Sequence, residues 1–202
     1  MKQSIKSALA ISAGMVAVVG AVLTPVGVGA VSSTSNTTVT AQIQPVITIS
    51  SGPTVNISIT PNGTGLASSN SDTVLVSTNR STGYTLNLKD ADATTSLGAS
   101  ITAHTGTVAS PTALTTNNTW GFRVDDATAY TGFTAGPTTA ETNVAALTST
   151  KWAGITAAGA NIKTTSSPGA NNSTTVWYAA KVDTTIADGN YSDIVTYTAT
   201  TN

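Results

Sequence analysis

The sequence contains no cysteine, a single histidine and few charged residues. Without cysteine the chain cannot form disulfides, metal–thiolate sites or a cysteine nucleophile. Charged residues make up only 8% of the 202 residues, and Lys and Arg are not clustered. Nucleic-acid binding needs positive charge to neutralise phosphates, so the composition disfavours that class of function.

Few residues are suited to catalysis. His104 lies in a stretch of Thr, Ala and Gly with no carboxylate close in sequence, and no G-x-S-x-G motif accompanies it. We therefore expect His104 at an exposed loop or strand position. The acidic pairs Asp90/Asp92 and Asp125/Asp126 do not match a calcium-binding loop and are expected in turns at strand ends. The sequence predicts no enzyme activity, no cofactor and no metal site.

The first 30 residues have the pattern of a secretory signal peptide. Lys2 and Lys6 precede an uncharged apolar stretch, which ends at small residues at positions 28–30. This pattern predicts export and cleavage after Ala30. The alternative is an uncleaved anchor, because the uncharged run is long enough to span a membrane. Cleavage removes two of the eight basic residues, so six basic and nine acidic residues remain, with a net charge of −3.

Alternation of apolar and polar residues distinguishes a folded domain from an unfolded stalk. Threonine makes up roughly a fifth of the chain, and Thr-rich exported chains can be glycosylated stalks. A stalk has no reason to alternate, yet six runs alternate with a period of two: 39–49, 55–59, 84–88, 120–124, 176–182 and 191–199. This period predicts β-strands whose solvent faces carry hydroxyl groups in place of charges.

The predicted fold is all-β. Weaker strands are expected at 72–79, 99–103, 151–155 and 160–164, and at most a turn or two of helix within 138–147. Short strands with one apolar face must pack sheet on sheet, which predicts an antiparallel β-sandwich of the Ig-like Greek-key type with about eight to ten strands. We expect a flexible leader at 31–38 and one domain at 39–202.

Five aromatic residues are the candidates for surface contact or motif positions. Trp120, Phe122, Tyr191 and Tyr197 fall on the apolar faces of their runs, which predicts core positions. Trp177 falls on the polar face of its run. Either a loop covers this side chain or it is an exposed contact point.

Two short motifs resemble those of WxL-domain proteins, which are exported surface proteins of Gram-positive bacteria. The segment from Tyr191 through Val195 and Tyr197 to Ala199 resembles the closing motif of that family, and residues 120–122 resemble its first W-x-L motif. Phenylalanine replaces the first leucine, and tyrosine replaces the second tryptophan. The resemblance implies non-covalent attachment to the bacterial cell wall, with peptidoglycan or another wall glycan as the partner.

These observations predict a non-catalytic, exported structural or adhesion protein of the cell surface or cell wall, with no membrane span in its mature form. The alternative is a self-polymerising subunit of a surface filament or surface layer, in which residues 39–49 complete the sheet of a neighbouring copy. Pro45 would interrupt such a donated strand, and an open apolar groove favours aggregation. We therefore expect this strand to pack within its own chain.

Overall fold

A computed structural model describes residues 29–125, 133 and 139–202. The chain divides into two units, Met1–Gln42 and Ile43–Asn202. In the first unit, residues 29–42 are exposed and have no regular secondary structure. Most of the predicted signal peptide lies outside the described residues. No helix occurs in the described part of the chain, so none there is long and apolar enough to cross a membrane.

The second unit contains ten strands in the residues that the structure describes. They are β1 (Ile47–Ser50), β2 (Leu66–Thr78), β3 (Tyr84–Asp90), β4 (Thr102–Ala103), β5 (Thr112–Leu114), β6 (Thr119–Val124), β7 (Leu147–Trp152), β8 (Ala160–Thr164), β9 (Gly169–Val182) and β10 (Val195–Thr201). The predicted all-β class is therefore confirmed, and the arrangement is compatible with a β-sandwich.

The strands form three sheets. The order in the largest sheet is β1-β2-β9-β6-β4, a three-stranded sheet has the order β10-β3-β8, and β5 pairs with β7. The long strands β2 and β9 pair from Leu66↔Val182 to Thr78↔Gly169 and form the centre of the largest sheet. Neighbouring strands are antiparallel except β4 and β6, which are parallel. The predicted antiparallel arrangement is therefore found at every named strand pair of the described structure except this one.

One core lies between the five-stranded and three-stranded sheets. The predicted alternation in β3 is confirmed, because Tyr84, Leu86 and Leu88 are buried while the intervening residues are not. The main buried members of this core are Val74, Val76, Tyr84, Leu86, Leu88, Trp120, Phe122, Val124, Ile162, Val176 and Tyr178. Burial of these apolar side chains is the main stabilising contribution to the domain.

A second, smaller core covers the opposite face of the five-stranded sheet. Its buried residues are Ala67, Leu114, Leu147, Trp152, Trp177 and Ala179. Trp177 is 5% exposed, so it is not an exposed contact point, and strands β5 and β7 cover it in place of the predicted loop. All six residues of β6 are buried, including Arg123 on the face that alternation had predicted to meet solvent. Alternation describes a strand with one solvated face, and the pair of β5 and β7 leaves β6 without one.

Several predicted strand boundaries differ from the observed ones. β1 begins only at Ile47, and residues 39–46 are exposed and outside any strand. The 55–59 run is half-buried at alternate positions but belongs to no sheet. The last run enters a strand only at Val195.

The weaker strands are recovered to different degrees. The 160–164 strand is β8 with the predicted bounds, and 72–79 overlaps the second half of the longer β2. The other two shift to β4 and β7. Residues 139–147 contain no helix, and residue 138 lies outside the described part.

Candidate functional site

A groove with a volume of about 820 Å³ opens beside the main core. Most of its lining comes from three parts of the chain, which we name by position, and Leu97 and Ile101 from the connection between β3 and β4 complete it. The first wall is the segment 51–61, the floor is the inner face of the five-stranded sheet, and the second wall is the stretch 184–197. The floor includes Asp72, Trp120, Tyr178, Ala180 and Val182. Such a volume is typical of a site that takes a ligand or several side chains.

The first wall is an extended segment that has left the edge of the sheet. β1 pairs with β2 as far as Ser50↔Leu75. The N–H of Gly52 then donates to Asp72 Oδ1 at 2.8 Å, and the chain bends at the next residue. Beyond the bend, Val55, Ile57 and Ile59 pack against the core. Within the described part of the chain, residues 53–60 make no backbone–backbone hydrogen bond. Side chains hold two main-chain groups of this wall, Asn56 O and Thr60 N, and its other main-chain groups are open to a further strand.

Another segment occupies the edge of β2 that the first wall could have joined. Ser69 N donates to Glu141 O at 2.8 Å, and Ala67 and Val144 exchange two hydrogen bonds of 2.8 and 2.9 Å. The first wall is held instead by side chains, since Asn70 Nδ2 donates to Asn56 O at 2.9 Å. This arrangement explains why the 55–59 run keeps strand alternation without belonging to a sheet.

The second wall continues into β10, which is an edge strand. Ala91 N donates to Ile194 O, and Asn202 N donates to Gly83 O. Main-chain groups alternate in direction along a strand, so the even-numbered residues of β10 face β3. The odd-numbered residues, including Val195 and Tyr197, direct their N–H and C=O groups to the opposite edge. Among the described residues no strand pairs with that edge.

Two tyrosine hydroxyls connect the floor to the second wall. Tyr178 Oη and Tyr197 Oη lie 2.7 Å apart. Burial, and then the neighbouring Tyr197, raises the pKa of Tyr178 well above its usual value. Burial likewise raises the pKa of Tyr197, and the nearby Asp72 carboxylate adds to this effect. Both hydroxyls therefore stay protonated at neutral pH, and one donates to the other.

Asp193 of the second wall lies near two other carboxylates. Its Oδ1 accepts from Ile194 N at 2.7 Å. Asp90 Oδ1 accepts from Asp92 N at 2.9 Å, so the pair Asp90/Asp92 lies in a turn at the end of β3, as predicted. The remaining oxygens, Asp193 Oδ2 and Asp90 Oδ2, are buried without a hydrogen-bond partner in the described structure. Burial, supported by the charges of Asp90 and Asp92, raises the pKa of Asp193 to about 6.

The structure brings three of the five candidate aromatics to the groove. Trp120 stacks on Tyr178 with ring centroids 6.5 Å apart, and its Nε1 donates to Thr95 O at 3.0 Å. Tyr191 and Tyr197 line the second wall. Phe122 does not line the groove and is buried in the core. Sequence reasoning missed Asp72 as part of the floor; its only signal was its position in a predicted weak strand.

Trp177 belongs to a separate polar cluster on the other face of the sheet. Its Nε1 donates to Asp125, which also pairs with Arg123. The Arg123 guanidinium carbon lies 5.9 Å from the centre of the Trp152 ring. Burial lowers the pKa of Arg123, and the charge of Asp125 opposes this shift. These contacts tie β6 to β9 and to the second core, so the cluster is structural in character. Asp126 lies outside the described residues.

His104 is buried, so the prediction of an exposed position is wrong. The side chain is 6% exposed. The main-chain N–H of His104 donates to Trp120 O at 2.7 Å, which extends the pairing of β4 with β6. Its Nε2 lies 2.9 Å from Thr112 Oγ1, and burial lowers its pKa. A neighbouring cavity of about 350 Å³ has no carboxylate in its lining. Within the described residues, no group of three His, Cys, Asp or Glu side chains is placed to hold a metal ion.

Comparison of the chain with protein families, with curated proteins and with solved structures finds no match. The resemblance to WxL-domain proteins therefore stays a prediction.

Proposed function

We propose that this chain is a non-catalytic, exported subunit that assembles with copies of itself at the bacterial cell surface. Its folded part is proposed to be an Ig-like β-sandwich that serves as the repeating unit of a filament or surface layer. Association with the cell envelope, predicted from the signal pattern and from the WxL resemblance, belongs to the same proposal.

The observation that carries this proposal is an exposed segment with the pattern of a strand. We call residues 39–46 the arm. All eight residues are exposed and outside any strand, with Val39 at 90% and Ile43 at 84% exposure. Its apolar residues, Val39, Ala41 and Ile43, are separated by polar ones, as on a strand with one buried face.

An exposed apolar strand is costly for a protein that works as a monomer. Each Val or Ile side chain left in water forgoes roughly 1.5–3 kcal/mol that burial would contribute. Unpaired apolar strands also promote aggregation. The expected packing of residues 39–49 within the chain is found for β1, and hydrogen bonds with the Asn79 side chain hold Gln44 and Val46; in the described structure no hydrogen bond holds residues 39–43. A monomer attached to the wall has no use for the remaining exposed segment, whereas a polymer joined by strand addition requires one.

Other observations agree with a structural role. His104 contacts Thr112 in place of a carboxylate, which gives no support for a catalytic triad. The polar clusters around Asp125 and Tyr178 connect strands to one another through side-chain hydrogen bonds.

The proposal is tested by the oligomeric state of the exported chain. We expect a concentration-dependent ladder of masses by light scattering after size exclusion, and pelletable filaments or sheets in electron micrographs. Fractionation of producing cells should place this material at the surface. A chain that stays monomeric at every concentration and is extracted from the wall as single copies would contradict self-assembly and favour the wall-attached monomer.

A further inference from the structure

We infer that the groove is the acceptor site for the arm of a second copy of this chain. The inference rests on the proposed function and deepens it, because it names the two surfaces that meet. In this junction Val39, Ala41 and Ile43 of one copy lie in the groove of the next, between the first and second walls.

The spacing of apolar residues in the arm matches that of the first wall. Val39, Ala41 and Ile43 occupy every second position, and so do Val55, Ile57 and Ile59. Either set spans four residue steps, roughly 13 Å of extended strand. A strand inserted beside the first wall would place its three apolar side chains on the floor in the same alternation.

Both walls offer main-chain partners to such a strand. Residues 53–60 lack backbone–backbone hydrogen bonds in the described structure, and β10 directs the groups of Val195 and Tyr197 away from β3. The two walls run in opposite directions. The first wall continues β1, which is antiparallel to β2, and the second wall continues into β10, which is antiparallel to β3. β3 follows β2 after a turn and so runs opposite to it. An inserted strand is therefore antiparallel to one wall and parallel to the other, and both pairings are found in proteins.

The arm carries no charge that would resist burial. No charged residue occurs between Lys6 and Asp72, and desolvating a charge would oppose insertion. Pro45, which cannot donate to a ladder, lies after the three apolar residues. It therefore falls in the linker between the inserted segment and β1, where no ladder hydrogen bond is needed.

The three apolar residues of the arm cannot all lie on the floor of their own chain's groove while β1 stays paired. Ile47 pairs with Thr78, and Asp72, the residue of β2 that lines the groove, lies six residues along that strand, roughly 20 Å away. The four steps from Ile43 to Ile47 span at most about 14 Å. An insertion that includes Ile43 therefore comes from a different copy.

A wall glycan fits the groove less well than a strand does. Sugars are commonly bound on exposed aromatic faces and by charged or amide side chains, but Trp120 and Tyr178 on the floor are only 3% and 4% exposed. The open main-chain groups of the walls fit a second strand directly.

The first experiment changes the donor and the acceptor separately in the exported chain. Ile43→Asp places a charge on the inserted face of the arm, and Gln42→Asp is its control on the opposite face. Ile57→Asp changes the first wall, and Ser58→Asp is its exposed control. We expect Ile43→Asp and Ile57→Asp each to weaken assembly at least tenfold, while the two controls assemble as the wild type does.

Mixing the two defective variants tests whether arm and groove meet. Ile43→Asp keeps an intact groove and Ile57→Asp keeps an intact arm, so the mixture has one functional junction. We expect dimers and no longer chains by light scattering. If each variant alone still forms polymers as wild type does, the assigned junction is wrong, although self-assembly itself would remain supported.

A peptide test keeps the inference falsifiable if Ile57→Asp fails to fold. A fluorescent peptide of residues 37–46 is titrated into the Ile43→Asp chain, whose groove is unoccupied by other copies. We expect saturable binding, and at least tenfold weaker binding when positions 39 and 43 of the peptide are aspartate. Equal binding of both peptides, or binding of a soluble peptidoglycan fragment in place of the peptide, would overturn the inference. A wild-type chain that stays monomeric but binds the peptide would support the groove as a strand acceptor and contradict the proposed assembly.

Discussion

Replacement of Asp193 by asparagine should stabilise the domain at neutral pH and leave its stability at acid pH unchanged. Burial and the neighbouring Asp90 raise the pKa of Asp193 from 3.8 to about 6. A carboxyl whose pKa is higher in the folded state than in the unfolded state binds more protons when folded. Its favourable contribution is complete below about pH 4 and is lost as the pH rises through about 6.

The size of the effect follows from this shift. A shift of about two pKa units corresponds to about 3 kcal/mol at 1.36 kcal/mol per unit. Because Asp193 is only partly buried, solvent screening reduces this figure, and we expect about 1 kcal/mol. Asparagine preserves the shape and the acceptor for Ile194 N but has no charge to desolvate. The variant should therefore gain about 1 kcal/mol above pH 6.

The assay is urea denaturation of wild type and variant from pH 4 to pH 8, compared at each pH so that other titrating groups cancel. Asp188→Asn, at an exposed position of the same wall, is the control and should show no pH-dependent difference from wild type. A difference between Asp193→Asn and wild type that is the same at pH 4 and pH 7 would refute the argument. A loss of stability at pH 7 would also do so.

Three further predictions concern other parts of the chain. Lys181→Met should lower the free energy of unfolding by about 3 kcal/mol, because buried Lys181 Nζ donates to two main-chain carbonyls at 2.9 and 2.8 Å. Urea denaturation measures this loss, with exposed Lys151→Met as the control, and a Lys181→Met variant as stable as wild type would contradict the prediction. His104→Ala should lower the free energy of unfolding by about 1–2 kcal/mol at pH 8 and by less at pH 5. Because the pKa of His104 is lowered in the folded state, its stabilising contribution is present above about pH 6.5 and is lost as the pH falls, and a loss of stability that grows toward acid pH would contradict this. Sequencing of surface material should begin at Val31, and a sequence beginning at Met1 would make the apolar stretch an anchor.

The class of fold could be predicted because alternation reports directly which strands have one buried face. It identified β3 closely, since the outer face of that strand meets solvent, and the weaker strand predicted at 160–164 is β8. Alternation gave the wrong environment for Arg123, and the local composition gave the wrong one for His104, because each is covered by other parts of the fold. A sequence pattern records the chemistry of a face, but a buried polar side chain such as Arg123 gains its partners, here Asp125 and Trp152, only from the tertiary fold.

The groove could be predicted only in part. The alternation of 55–59 and of the arm was visible, as was the possibility that a terminal strand is donated. Whether an alternating run joins a sheet depends on competition for an edge, and in β2 the residues Glu141 and Val144 take the positions beside Ser69 and Ala67. No pattern in the sequence marks residues 141–144 as the segment that pairs there.

The polar groups of the groove also bear on how an open apolar site is tolerated before a second copy arrives. Asp193 in the second wall and Asp72 on the floor place carboxylates beside apolar residues, and partly buried charges oppose the insertion of unrelated apolar chains that cannot avoid them. In a strand with apolar residues at three alternate positions, the polar side chains can face solvent while the apolar side chains lie in the groove. The Asp193 carboxylate, which reduces the stability of the isolated domain at neutral pH, would thus restrict which strands the groove accepts. The uncharged arm, with polar residues at Thr40 and Gln42, has the required alternation.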